Sequence, residues 1–247
     1  MTDRLRDEIE AEFVVERTGW AAERVQRVTA QLQRDVAPED RFETLVVWMS
    51  DHNAFTCDGK TLYVGRRLLE RLPDDDATAF VIAHEIAHHR LGHIPKLSHW
   101  STARLIVLSV LRALWITSAE RERDADLLAI EMCLDAGYDL ERCLEAMHHL
   151  ANVSLDYGDV DNVIGRADGR AGSHPPIHAR IADVRAHAAE LRRGIRFSID
   201  AARARERRRR HKLALGAAGG AAVVAGLILL GHRPDPALVR RVLRRFS

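Results

Sequence analysis

The sequence predicts an α+β fold that is mostly helical, with a small β-sheet and a C-terminal transmembrane helix. Long segments repeat apolar residues at helical spacing, and three short runs between residues 45 and 64 favour strands. Near the C-terminus, residues 213–230 are 18 residues without a charged side chain. The chain of 247 residues is long enough for one domain of ordinary size with appended segments.

The composition indicates which partners and which cellular compartment to expect. Charged residues make up 30% of the chain but the formal net charge is only +1, so we expect no nucleic-acid partner. Cys57, Cys133 and Cys143 lack the spacing of a disulfide framework or a Cys-rich metal site, which fits a reducing compartment. Residues 1–10 are charged throughout and contain no secretory signal, so we expect the protein to begin in the cytoplasm.

The N-terminal half is expected to combine helices with the small sheet. Residues 1–37 form a helical segment of one or two amphipathic helices, with a break near Thr18 and Gly19. A strand follows at residues 45–49, and Asp58-Gly59 separates residues 53–57 from 61–64 as in a β-hairpin. The hairpin either only covers the core or offers a strand edge that holds an extended peptide.

A metal-binding motif lies in the next helix. After a helical segment at residues 66–72 and a turn at Pro73, apolar residues lead into His84-Glu85-Ile86-Ala87-His88. Histidines four apart share one helix face, so His84 and His88 can bind one zinc ion, with Glu85 beside it as a general base. The alternative is an incidental histidine pair on a solvated helix, but the apolar residues upstream favour a core helix.

The helix is expected to continue through His93. A Gly three residues and a His six residues after His88 would supply a third histidine ligand in one known pattern, but Leu91 and Ile94 occupy those positions. His93 is therefore a poor third ligand, and it either contacts a ligand or faces solvent. Residues 97–117 predict a buried or interfacial helix, because the apolar run is too short to cross a bilayer.

A second helix, beginning near Ser118, offers carboxylates for the third ligand. Glu122 and Asp126 lie four apart on one face, so the first can bind the metal while the second accepts a hydrogen bond from a ligating imidazole. Glu120 and Asp124 have the same spacing. The spacing alone does not choose between the two pairs.

Four ordered motifs resemble the M48 family of zinc metallopeptidases. They are Asn53-Ala54-Phe55 with Gly59, the stretch Val81–His88, Glu122-x-x-Ala125-Asp126, and Ser173-His174-Pro175-Pro176 with Arg180-Ile181. The resemblance covers residues 45–184 and implies a zincin-like (gluzincin) domain at residues 38–200. Ser118-Ala119 stands where the family often has Ser-Arg, a departure that leaves the ligands unaffected.

The resemblance also implies residue roles. One Zn²⁺ per subunit would be bound by His84, His88 and Glu122, with Asp126 as hydrogen-bond partner of a ligand. His174, which follows a Gly- and Asp-rich loop at residues 158–172 suited to a mobile lid, would stabilise the oxyanion. Asn53 and Ala54 would line the substrate cleft.

The C-terminal quarter is expected to attach the domain to a membrane. A helix at residues 177–196 closes the domain, and a basic juxtamembrane linker at 201–212 precedes the transmembrane helix at 213–231. At about 1.5 Å per residue, the 18-residue run spans roughly 27 Å, close to a bilayer core. Residues 232–247 form a basic amphipathic tail, and the positive-inside rule favours a cytoplasmic catalytic domain.

The sequence therefore predicts a membrane-anchored zinc metalloendopeptidase that acts on polypeptides in membrane-associated protein quality control or processing. The alternative from another class is a membrane-tethered regulatory or scaffold protein with a structural zinc site and little activity. It requires a closed site with four protein ligands, for which His89 or His93 would be candidates. A third hypothesis is a soluble cytosolic protease whose C-terminal helix mediates oligomerisation.

Overall fold

The computed structural model describes residues 2–49, 52–56, 60–93, 119–156 and 177–211. The chain divides into two compact units, Met1–Ile199 and Asp200–Ser247. The elements of the first unit are α1 (Thr2–Glu12), β1 (Val14–Glu16), α2 (Trp20–Leu32), a 3₁₀ turn (Pro38–Asp40), β2 (Glu43–Trp48), β3 (Ala54–Thr56), β4 (Thr61–Gly65), α3 (Arg66–Arg71), α4 (Asp75–Arg90), α5 (Ala119–Asp135), α6 (Leu140–Asp156) and α7 (Ile177–Leu191). This is a mostly helical α+β fold, as the sequence predicts.

The described sheet has four strands in the order β1-β2-β4-β3. β3 and β4 pair antiparallel, which confirms the predicted hairpin, and β2 confirms the predicted strand. Two features were not predicted. β1 lies inside the segment expected to be wholly helical and pairs antiparallel with β2, while β2 and β4 pair in parallel. The N-terminal segment is therefore part of the sheet, because its three-residue strand completes one edge.

Both faces of β2 are covered, which explains its unbroken apolar run. Leu45 and Val47 point to one side, where they form a buried cluster with Ile9 of α1. Thr44 points to the other side, where its hydroxyl lies 2.7 Å from the hydroxyl of Thr29 in α2. Since successive side chains of a strand alternate between faces, the sheet lies between α1 on one side and α2 on the other.

The helix α4 forms the centre of the first unit. Asp74 caps it, because its carboxylate accepts a hydrogen bond from the Ala77 amide at 2.9 Å, and Asp75 and Asp76 lie in the first turn at the positive end of the helix dipole. Residues 77–88 are all buried, which confirms that the motif lies in a core helix. The alternative of a solvated helix is wrong.

The remaining helices of the unit pack around α4. It contacts α5 most extensively, and also α2, α6 and β3. α6 was not predicted, although Leu140, Leu144 and Met147 recur at helical spacing. α7 ends at Leu191, five residues before the predicted end, and the chain then turns through residues 192–194.

The described residues of the second unit, 200–211, all lie in one helix, α8, which spans residues 199–211. Several of its arginines are exposed: Arg203, Arg205, Arg207 and Arg208. Within the described ranges, no helix is long and apolar enough to cross a membrane. The helix predicted at 97–117, the loop at 158–172, the transmembrane helix at 213–231 and the tail at 232–247 lie outside the described residues.

Candidate metal centre

Two neighbouring helices bring three potential metal ligands together. His84 and His88 lie one turn apart on α4, with their Nε2 atoms 3.0 Å from each other. Glu122 projects from α5, and its carboxylate oxygens lie 3.6 Å from Nε2 of His84 and 3.4 Å from Nε2 of His88. All three residues are buried. Because α4 and α5 pack side by side, the two histidines of one helix and the glutamate of the other face one point.

The structure distinguishes the two candidate carboxylates that spacing left open. Glu122 is 1% exposed and faces the two imidazoles, whereas Glu120 lies on the exposed side of α5. The contact between α4 and α5 fixes the rotation of α5 and turns Glu122 inward. The ligand set therefore fits His84, His88 and Glu122.

The site fits a zinc ion. A tetrahedral zinc with bonds of about 2.0–2.1 Å holds its ligand atoms about 3.3 Å apart. The three separations of 3.0, 3.4 and 3.6 Å scatter around that value. Two imidazole nitrogens and one carboxylate oxygen are a known donor set for catalytic zinc. Within the described part of the chain, His84, His88 and Glu122 are the histidine, cysteine or acidic side chains that lie close enough together to hold a metal.

Asp126 and Arg180 extend the site behind His84. Nδ1 of His84 lies 3.0 Å from Asp126 Oδ1, so its Nε2 faces the other ligands. Arg180 of α7 donates two hydrogen bonds of 2.7 Å to Asp126 and lies 3.6 Å from Glu122. These four side chains are all buried. Arg180 thus compensates two buried carboxylates, a role that the sequence analysis did not assign to it.

Two neighbouring carboxylates favour the protonated form of His84. Burial lowers the pKa of His84, but the carboxylates of Asp126 and Glu122 outweigh burial and raise the pKa to about 10. Protonated His84 and Arg180 balance the two acidic residues. This proton occupies the place that a metal cation would take, since zinc binds only the deprotonated nitrogen.

Zinc affinity is therefore expected to rise with pH. The proton on His84 stabilises the metal-free fold fully below the unfolded pKa of 6.5, and this stabilisation is lost as pH rises toward about 10. Zinc must displace that proton, so we expect its affinity to increase about tenfold per pH unit between pH 7 and 8, with one proton released. Competition with a chelator and calorimetry in two buffers measure both quantities. Equal affinity at the two pH values would contradict the prediction.

Arg180 is expected to stabilise the fold strongly. Arg180→Met removes one of the two cations that balance the buried carboxylates of Asp126 and Glu122, which should lower the free energy of unfolding by about 3–5 kcal/mol. Arg123 and Asp183 form a matched control, because they join the same two helices at 2.8 Å but are 53% and 43% exposed. Arg123→Met should cost less than about 1 kcal/mol. Urea unfolding of the metal-free chain measures both changes, and similar losses in the two variants would count against the role of Arg180.

His93 contacts a candidate ligand, which is the first of the two positions that the sequence left open for it. The helix predicted to run through His93 ends at Arg90, and the chain turns at Gly92, whose φ is +73°. His93 is only 1% exposed, so a solvent-facing side chain is wrong, and its Nδ1 lies 2.9 Å from Nδ1 of His88. Burial lowers the pKa of His93 to about 2, so its ring is neutral.

The positions of His93 and His89 argue against the alternative of a closed zinc site with four protein ligands. Nδ1 and Nε2 are on opposite edges of an imidazole, so His93 contacts the edge of His88 that points away from Glu122. The ring of His89 packs edge-on against Phe42, with centroids 5.0 Å apart. Among the described residues, neither histidine joins the three-ligand group. Neither of the two candidate histidines therefore supplies the fourth ligand that a structural zinc site requires.

The structure describes three of the four remaining predicted site residues. Glu85 follows His84 in α4 and is 8% exposed. Ala54 begins β3, an edge strand of the described sheet, and is 1% exposed, so its role in the substrate cleft stays a prediction. Asn53 is half-buried, and its carbonyl accepts a hydrogen bond from the Gly65 amide at 2.8 Å. His174 lies outside the described residues, and its role stays a prediction.

Comparison with known proteins gives one family. The sequence model of peptidase family M48 matches residues 16–188, which begin at the last residue of β1 and include the three candidate ligands. No curated protein matches the chain significantly. The matched range extends beyond residues 45–184, on which the resemblance of the motifs rests, and reaches into the N-terminal segment that completes the sheet.

Proposed function

This chain belongs to peptidase family M48, and we propose that it is a zinc-dependent endopeptidase that cleaves extended polypeptides at a membrane. The observation that carries the proposal is the buried group of His84, His88 and Glu122, with Glu85 next to the first ligand. Three protein ligands leave a coordination position for water, as in catalytic rather than structural zinc sites. When bound, zinc would lower the pKa of a water molecule to about 7 and polarise a peptide carbonyl.

The side chains of this protein would then perform the proton transfers. Glu85 would accept the proton of the attacking water and return it to the leaving amine, since a carboxylate can serve in turn as base and acid. His174 would donate a hydrogen bond to the oxyanion. Asp126, held by Arg180, would keep Nδ1 of His84 protonated and its Nε2 available for the metal.

The strand β3 would orient the substrate. It is an edge strand of the described sheet and packs against α4, which carries the motif. An extended peptide can add to such an edge through main-chain hydrogen bonds, which recognise backbone shape more than side-chain identity. This favours unfolded or unassembled polypeptides as substrates.

Cleavage of blocked peptides tests the endopeptidase assignment. A fluorogenic peptide of about ten residues with an acetylated N-terminus and an amidated C-terminus offers no free end to an exopeptidase. We expect the zinc-loaded chain to cut it internally, and a chelator to stop the reaction. Removal of single residues from an unblocked peptide, with the blocked peptide intact, would instead indicate an exopeptidase.

We also propose that residues 213–231 anchor the protein in a membrane, with the catalytic domain on the cytoplasmic side. The support is the uncharged run of 18 residues, which follows the exposed arginines of α8. Such a basic segment next to an apolar one suits the anionic surface of a cytoplasmic leaflet. Quality control or processing of membrane-associated proteins would follow from this position.

Alkaline extraction of membranes tests the anchor. The parent chain should stay in the membrane pellet, whereas Val224→Arg should move into the soluble fraction, because arginine at the centre of a span costs about 2.5–3.5 kcal/mol. Val224→Leu is the matched control and should behave as the parent does. Release of the parent chain by alkaline carbonate would contradict a transmembrane anchor.

A further inference from the structure

The chain reverses sharply after the metal-binding helix, and the reversal fixes the position of His93. The amide of His93 donates to the carbonyl of His88 at 2.8 Å, and the amide of Gly92 donates to the carbonyl of His89 at 2.9 Å. These two bonds, together with the positive φ of Gly92, form a Schellman motif at the helix C-terminus. The backbone of His93 is therefore bonded directly to the residue that carries the second candidate ligand.

The side chain of His93 returns to the same residue. Its Nδ1 lies 2.9 Å from Nδ1 of His88, the ring centroids are 5.0 Å apart, and the rings are inclined by 64°. His88 and His93 are 3% and 1% exposed. A hydrogen bond in this surrounding meets little competition from water, so it restricts the His88 ring strongly.

The proton positions in this pair follow from the metal site. Nε2 of His88 faces Glu122 and His84, so binding zinc requires its lone pair, and the proton of the neutral ring must then be on Nδ1. The only hydrogen bond that this arrangement allows between the two rings runs from Nδ1–H of His88 to the lone pair of His93 Nδ1.

We propose that His93 is a positioning residue for the metal centre: it accepts a hydrogen bond from Nδ1–H of His88 and so holds His88 in the tautomer and orientation that bind zinc. The inference rests on the proposed zinc site. It gives each ligating histidine its own partner, because Asp126 holds His84 and His93 holds His88. A neutral partner for His88 adds no further negative charge to a site that already contains Glu122 and Asp126.

Zinc affinity of the full-length chain tests the proposal. We expect His93→Leu to bind zinc about 10–100-fold more weakly in competition with a chelator, the range for the loss of a hydrogen-bond partner of a ligand. His93→Asn should bind nearly as the parent does, because the amide oxygen can occupy the position of Nδ1. His187→Leu is the matched control, since His187 is 5% exposed but bonds Glu131 and Glu190 and lies outside the metal site.

The outcomes separate positioning from a general loss of stability. Weaker zinc binding in His93→Leu, with near-parental binding in His93→Asn and His187→Leu, supports the proposal. Equal affinity in His93→Leu and the parent overturns it. If His93→Leu does not fold, His93→Gln replaces it, because the longer amide presents its polar atoms at the position of Nε2; His93→Gln must then bind more weakly than His93→Asn, and equal affinities overturn the proposal.

The visible spectrum of the cobalt-substituted protein gives a second readout. The bands of Co²⁺ should shift or broaden in His93→Leu and stay parental in His187→Leu, because only the first variant releases the orientation of a ligand. Neither measurement depends on hydrolysis. A chain that binds zinc but cleaves nothing would refute the proposed function and leave the role of His93 intact.

Discussion

Replacing Glu85 by glutamine is expected to reduce peptide hydrolysis by about 10²–10⁴-fold while zinc stays bound. Glutamine has nearly the shape of glutamate but cannot accept the proton of an attacking water. Glu85 is not one of the three candidate ligands, so the metal should be retained. Steady-state kinetics on a fluorogenic peptide, with zinc content measured in the same samples, gives both quantities.

Glu131→Gln is the matched control for this prediction. Glu131 is another buried glutamate, 6% exposed, that bonds His187, Arg196 and the Phe197 amide and is not one of the three candidate ligands. Its replacement should lower the thermal midpoint of unfolding without changing the rate per folded molecule. The role of Glu85 as base would be wrong if Glu85→Gln kept more than about a tenth of the parental rate at equal zinc content.

Replacing Glu122 by glutamine is expected to weaken zinc binding by more than about 100-fold, beyond the range for partners of ligands. The amide is a poor zinc ligand, and the site also loses the negative charge that balances the cation. Glu120→Gln changes the same residue type on the exposed side of the same helix and should leave zinc affinity unchanged. Competition with a chelator measures both affinities. Retention of one zinc per chain by Glu122→Gln, or zinc loss by Glu120→Gln, would contradict the ligand assignment.

The histidine ligands could be predicted because local geometry alone determines their relation. Residues four apart on a helix share a face in any helix, so His84 and His88 needed no tertiary information. The third ligand did need it, because Glu120 and Glu122 have equivalent spacing to an acidic partner and only the packing of α5 on α4 turns one of them inward. In the sequence, only the resemblance of residues 122–126 to the M48 motif selected Glu122 as the ligand.

The parts of the fold that sequence reasoning missed depend on distant contacts. β1 has only three residues, and its pairing with β2 is what makes it a strand. The parallel pairing of β2 and β4 leaves no local pattern either. The end of α4 is different, because Gly92, directly before His93, is a local signal for a helix C-terminus and indicates that the chain turns back toward His88.

The most direct test is the digestion of an unfolded protein by the detergent-purified, zinc-loaded chain, followed by mass spectrometry of the products and measurement of bound zinc. We expect about one zinc per chain and products cut at internal peptide bonds, with cleavage lost after chelation and regained when zinc is returned. An intact substrate in the presence of one tightly bound zinc per chain would contradict a catalytic metal centre and favour a structural one.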